Sequence, residues 1–180
     1  RCRLVRSTVS WSTIVIVPTP AVPRYSATGE PSPPAPLTGG CSANSLEQID
    51  RATGRPWEGC EEFKDWAKET ITTLGPDVIL VSTSAGRVVD PDTGKVLHAG
   101  RAFDRYVSVL ERGWKTMFED LRTRADEVFV VGNTPKLPRE PGVCLSQGRP
   151  DLGDCAFPPG PQAIREAKAS FAAARATGVG

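Results

Sequence analysis

The hydrophobic pattern along the chain changes period several times, and each change marks an element. Phe63, Trp66, Ala67, Ile71 and Leu74 recur at three- and four-residue steps. That spacing makes one helical face, so a helix is predicted over residues 60–74, ended by Gly75-Pro76. Val78-Ile79-Leu80-Val81 follows as an unbroken apolar run and stops at Ser82-Thr83-Ser84. A short run of β-branched and aliphatic residues predicts a strand buried on both faces, as in a parallel sheet. Val88-Val89 and Val96-Leu97 flank Asp90-Pro91-Asp92-Thr93-Gly94 and predict a small hairpin. The turn has the beginning of a calcium loop but not its remaining ligand positions, so it reads as a plain turn.

The longest predicted helix covers residues 103–124, with Tyr106, Val107, Leu110, Trp114, Met117, Phe118 and Leu121 on one face. Gly113 weakens it by about 1 kcal/mol relative to Ala. Val128-Phe129-Val130-Val131 repeats the buried-strand pattern and is stopped by Gly132-Asn133-Thr134-Pro135. An Ala-rich helix is predicted over residues 162–176, with Pro161 at its start and Gly178 at its end. Ahead of all these, Ser45 is placed to cap a short helix containing Leu46 and Ile49 and ending near Gly54. Residues 13–17 are a weak strand signal.

Helix, strand, long helix, strand, helix is the order of right-handed βαβ crossovers. It predicts an α/β domain over residues 41–180, with a parallel sheet and helices on both faces. At Val179-Gly180 the alternation calls for another strand. Residues 1–40 differ: one acidic residue, Glu30, four arginines, and a Pro/Ser/Thr/Gly-rich tract from Pro18 onward. Such composition buries too little apolar surface to order itself, so a disordered or atypical tract is expected there. Its apolar stretch is too short and polar for a signal peptide.

Composition narrows the function classes. A net charge of +1 gives no basis for a nucleic-acid partner, and no apolar run is long enough to cross a bilayer, so a soluble chain is expected. The five cysteines include no Cys-x-x-Cys, and the lone histidine, His98, has no nearby Cys; no metal site is expected. Cys41 with Cys60, and Cys144 with Cys155, bracket Pro/Gly-containing loops and suit disulfide staples in an oxidising compartment. Free buried thiols are the alternative. Cys2 is left over. No Gly-rich phosphate loop follows either strand, so no cofactor is expected and a nucleotide or receiver domain is disfavoured.

In open α/β sheets ligands sit beyond the carboxyl ends of the strands. The residues expected there are Ser82, Ser84, Asn133 and Thr134, whose hydroxyl and amide groups suit an oxyanion or a sugar hydroxyl. Capping turns and helix starts is their alternative role.

Residues 74–82 (LGPDVILVS), residues 130–138 (VVGNTPKLP), Pro141-Gly142-Val143-Cys144-Leu145-Ser146 and the two cysteine spacings together resemble a known family. It is the SGNH-type hydrolase domain fused to the C-terminal side of bacterial membrane acyltransferases (acyltransferase family 3). The likeness runs over residues 41–180. It implies a flavodoxin-like three-layer α/β/α sandwich and a serine–histidine–aspartate mechanism. It also implies O-acyl transfer to, or removal from, a cell-surface glycan or other acyl ester on the extracytoplasmic side of a bacterial membrane, beside a membrane acyltransferase domain. The family carries its serine in a Gly-Asp-Ser block and its histidine in an Asp-x-x-His block; neither occurs in this sequence. An incomplete domain with no intact catalytic residues, inactive alone, is therefore expected. A non-catalytic extracytoplasmic glycan-binding module is the alternative.

Overall fold

The computed structural model describes residues 14–17, 41–82, 85–100, 102–132, 141–146, 153 and 156–180. In chain order the elements are β1 (Ile14–Val17), α1 (Glu58–Leu74), β2 (Val78–Ser82), β3 (Val88–Val89) and β4 (Val96–Leu97). They continue with α2 (Phe103–Leu121), β5 (Glu127–Val131), α3 (Pro141–Ser146) and α4 (Pro161–Thr177). The chain is an α/β protein.

The expected helices are set by local chemistry. α1 opens with Glu58 and Glu61 near its positive end and closes on Gly75, whose N–H bonds the Ile71 carbonyl. α4 opens on Pro161 and closes with Gly178 and Val179 folded back onto the Ala174 and Arg175 carbonyls. α2 lays Tyr106, Leu110, Trp114, Met117, Phe118 and Leu121 into the interior, and the Trp114 and Phe118 rings stack at 5.7 Å.

The main sheet has the order β1-β2-β5. β2 and β5 are parallel, with Ser82 opposite Val131, whereas β1 runs antiparallel to β2, with Ile14 opposite Val81. The sheet is thus mixed rather than all-parallel. Ile79, Val81 and Val128 share one core with Ile71 of α1, Trp114 and Phe118 of α2, and Ala173 and Ala174 of α4, and Val130 packs against it. The alternating residues stand outside that core. Phe129 is 41 % and Val131 48 % exposed, and Val78, Leu80 and Ser82 are half-buried. The expectation that both strands are buried on both faces is therefore corrected, because all three long helices feed the same core. Among the described residues none covers the second face as a layer.

A second correction concerns residues 45–54. They form no helix; they run as a ribbon of bends, with Gln48 bridging Val88 and Ile49 bridging Pro56. Side-chain oxygens compete there with the helical backbone. Asn44 accepts the Leu46 N–H, and Ser45 donates not to its own turn but across to the Gly113 carbonyl of α2. Gly113 is needed for that crossing: a Cβ on it would lie 2.5 Å from Leu46 Cγ. The ribbon adds to the expected β3–β4 hairpin, which pairs Val88 with Leu97 and Val89 with Val96.

The Cys41–Cys60 disulfide is present and ties the ribbon to the first turn of α1. Closing a loop of 19 residues stabilises the fold by about 3 kcal/mol in the chain-entropy account. Cys144 is disulfide-bonded too; Cys155, its expected partner, lies outside the described residues, as does Cys2. Lys64 reinforces the same corner from a nearly buried position. Its ammonium donates to the Leu46 carbonyl at 2.8 Å and to Glu61 at 2.7 Å. Burial lowers its pKa, against the opposing pull of Glu61.

Candidate functional site at the strand ends

The carboxyl ends of the parallel pair lie side by side because β2 and β5 are in register through Ser82 and Val131. Ser82, the last residue of β2, is half-buried, with its hydroxyl on a side chain that alternates away from Val81 and the main core. Of the residues expected to line this crevice, Ser82 alone is described; Ser84, Asn133 and Thr134 lie outside the described residues.

From Gly86 onward the chain is tied to its surroundings. Tyr106 of α2 donates its hydroxyl to the Gly86 carbonyl at 2.8 Å. Burial raises the pKa of that phenol well above its ordinary value, so it stays a donor. One residue on, the Arg87 carbonyl accepts the Ile49 N–H, and Val89 donates to Glu47. Residues 86–89 are thereby anchored both to the start of α2 and to the ribbon.

The starts of α2 and α4 are linked to each other. Arg165 pairs with Asp104 and lies over the Phe103 ring, 4.8 Å from its centroid. Gln162 donates to the Ala99 carbonyl. Ala102, which precedes α2, adopts a left-handed conformation with φ 49°, a strained state for a residue with a Cβ. These contacts tie Ala99, the neighbour of His98, and the start of α2 to α4.

Among the described residues His98 has none of the partners of a general base. Its Nδ1 accepts the Gly100 N–H at 3.1 Å, so the proton is assigned to Nε2. Among the described residues no carboxylate pairs with it and no serine hydroxyl bonds it. A base needs both a nucleophile within reach and an orienting partner on its other nitrogen. The described part of this crevice can donate hydrogen bonds to a ligand; it has no assembled machinery to break an acyl bond. Among the described residues no group of three or more His, Cys, Asp or Glu side chains could hold a metal ion.

One pattern was missed by the sequence reading. Asp50-Arg51-Ala52-Thr53-Gly54-Arg55 and Asp90-Pro91-Asp92-Thr93-Gly94-Lys95 share the form Asp-x-x-Thr-Gly-(Arg/Lys) and fold alike. In each, the Asp carboxylate accepts the N–H two residues on, Asp50 from Ala52 and Asp90 from Asp92. Its other oxygen accepts the Thr hydroxyl, from Thr53 and Thr93 respectively. The glycine N–H returns to the Asp carbonyl at 2.8 Å in both, with φ 70° at Gly54 and 67° at Gly94. The repeated hexapeptide was the available signal, and it marks turns rather than a ligand site.

The second turn carries extra charge pairing. Asp90 takes both Nε and Nη2 of Arg105 at 2.9 and 2.8 Å, a two-pronged guanidinium contact, while Asp92 pairs with Arg105 and Arg112. The calcium-like appearance of this loop thus ends in carboxylates engaged by arginine. Hydrogen bonds from Arg105 first, then from the Asp92 N–H and the Thr93 hydroxyl, hold the Asp90 carboxyl far below the ordinary carboxylate range.

No described helix is long and apolar enough to cross a membrane. Compared with models of protein families, with curated proteins and with solved structures, the chain finds no match in any of the three.

Proposed function

We propose that this chain supplies the central elements of an SGNH-type domain of an O-acyltransferase or acyl-ester hydrolase. It would adopt part of a flavodoxin-like sandwich and act on cell-surface glycan outside a bacterial membrane, beside a membrane acyltransferase domain. The observation that carries the reading is the in-register parallel pair β2–β5 with Ser82 at its carboxyl end, the position at which such sheets bind ligands. The disulfides at Cys41–Cys60 and at Cys144 agree with an oxidising compartment. In this reading Ser82 donates a hydrogen bond to an acyl or sugar oxygen and is not the nucleophile. The serine and histidine blocks of the family do not occur in the sequence, so the chain by itself binds without turnover.

A second reading, a glycan-binding module with no acyl chemistry, is favoured by one observation: the Nδ1 of the lone histidine is engaged by the Gly100 N–H. Both readings are tested by titrating the isotope-labelled chain with an O-acetylated oligosaccharide and with its deacetylated form. Saturable amide shifts at Ser82 and Gly132 that favour the acetylated form by about tenfold, a difference of about 1.4 kcal/mol, are expected for the acyl-ester site. Equal affinity for the two forms would leave the binding module. Unmoved Ser82 and Gly132 signals at millimolar ligand would remove the crevice and both readings. A fluorophosphonate probe is expected to label no serine; labelling that vanishes in Ser82→Ala would make Ser82 a nucleophile and overturn its role as a donor.

A further inference from the structure

β5 has β2 on one side, and among the described residues its other edge is only partly paired. Glu127 donates its N–H to Asp77, toward β2. Because backbone groups alternate sides along a strand, Val128, Val130 and Gly132 direct their N–H and C=O groups outward. Gly180 meets that edge. Its N–H donates to the Val128 carbonyl at 3.0 Å, and its carbonyl accepts the Val130 N–H at 2.8 Å. One residue bonding to two residues spaced two apart on its neighbour is the repeat of a parallel ladder. The next rung would use the Val130 carbonyl and the Gly132 N–H, and neither carries a hydrogen bond among the described residues.

Among the described residues the surroundings of that rung are apolar. Phe129 and Val131 are exposed on one face of the strand, and Phe171 of α4 is 39 % exposed on the other. Gly180 lies against the Phe129 ring, so close that a Cβ on it would be 2.9 Å from Cδ1. Gly132 lies against Phe171 in the same way, with a Cβ distance of 2.8 Å. An edge of this kind, apolar and carrying unbonded backbone groups, is a template for another strand.

We propose that the outer edge of β5 is a docking site for an extended peptide segment of alternating apolar residues, running parallel to β5 in the line that Gly180 begins. Its backbone would bond the Val130 carbonyl and the Gly132 N–H, and its side chains would cover Phe129 and Val131 on one face and Phe171 on the other. Backbone pairing supplies affinity in this recognition mode, and alternate side chains supply selectivity. The direction follows from the Gly180 bridge. A two-fold copy of this chain pairing β5 with β5 would run antiparallel and would have to displace Gly180. The inference does not rest on the acyl-transfer reading: it uses the outer edge of β5 and not Ser82, and although Gly132 reports on both, its exchange is read here with no glycan present.

The test joins an alternating Val/Thr segment of about six residues, a usual strand length, to Gly180 of the full chain. A Gly/Ser segment of equal length is the control. Tethering holds the probe at a high effective concentration. Amide hydrogen exchange at Gly132 is expected to slow by about tenfold or more with the Val/Thr segment and to be unchanged with the control. Val131→Lys in the Val/Thr chain is expected to restore fast exchange, since a charge on an edge opposes strand addition. Equal exchange at Gly132 in the two chains would overturn the proposal. So would slowing that depends on protein concentration, which would assign the edge to a second copy.

Discussion

Gly113 has opposing claims on it, and their magnitudes decide which residue belongs there. Inside a helix, Ala is favoured over Gly by about 1 kcal/mol. Here the added methyl would stand 2.5 Å from Leu46 Cγ, and Leu46 has little room to retreat. Leu46 is 8 % exposed, its carbonyl holds Lys64, and the preceding Ser45 is bonded twice to the Gly113 carbonyl. Overpacking of that kind costs about 1–3 kcal/mol. Gly113→Ala is therefore expected to destabilise the chain by up to about 2 kcal/mol in urea unfolding. A stabilised variant would mean that the ribbon is not seated on α2. The sequence could not reveal this, because the propensity of Gly113 is a local property and Leu46 lies far from it along the chain.

At the scale of elements, the three long helices and the β3–β4 hairpin were legible, since periodic apolar faces and Pro/Gly boundaries act over a few residues; the short α3, with no such periodic face, was not. The segment 45–54 was not. Ser45 before Leu46 and Ile49 imitates a capped helix, yet its hydroxyl goes to Gly113 and its neighbours form the first of two like turns. Those turns are alike in backbone and unlike in charge. Asp90 is buried and fixed by Arg105, whereas Asp50 is half-buried and held by Ala52 and Thr53. A carboxylate whose folded-state pKa is depressed contributes stability that is complete above its unfolded value, near 3.8, and is lost as pH falls through the folded value. Acid unfolding of the chain is expected to steepen below about pH 4 through Asp90. Asp90→Asn, which cannot gain a proton, should be less stable at neutral pH and show a shallower loss on acidification. Followed by circular dichroism, an unchanged acid slope in Asp90→Asn would remove the Asp90–Arg105 pair as the cause. Asp50→Asn is the control expected to change the slope less.

For the whole molecule, the parallel β2–β5 pair and the single main core were readable from short apolar runs alternating with amphipathic helices. The number of covered faces was not. Val78-Ile79-Leu80-Val81 and Val128-Phe129-Val130-Val131 look equally apolar at every position, and a run without alternation implies burial on both sides. The three-dimensional arrangement separates them: Ile79 and Val81 are fully buried, Leu80 is half-buried, and Phe129 and Val131 are exposed. The candidate site was legible to the same partial degree, because strand ends are found from the strands, while the partners of Ser82 depend on chain that leaves the sheet. This one-sided core makes adjacent residues of β2 unequal. Truncating buried Ile79 to Ala removes contacts that the surrounding helices cannot replace and should cost about 2–5 kcal/mol. Leu80→Ala removes a side chain that already meets solvent, and about 1 kcal/mol is expected from the area it buries. Both are read from denaturant midpoints at constant slope. Equal, large losses at the two positions would mean that a second layer covers the Leu80 face, and a three-layer sandwich would then describe the chain better than a sheet with one covered side.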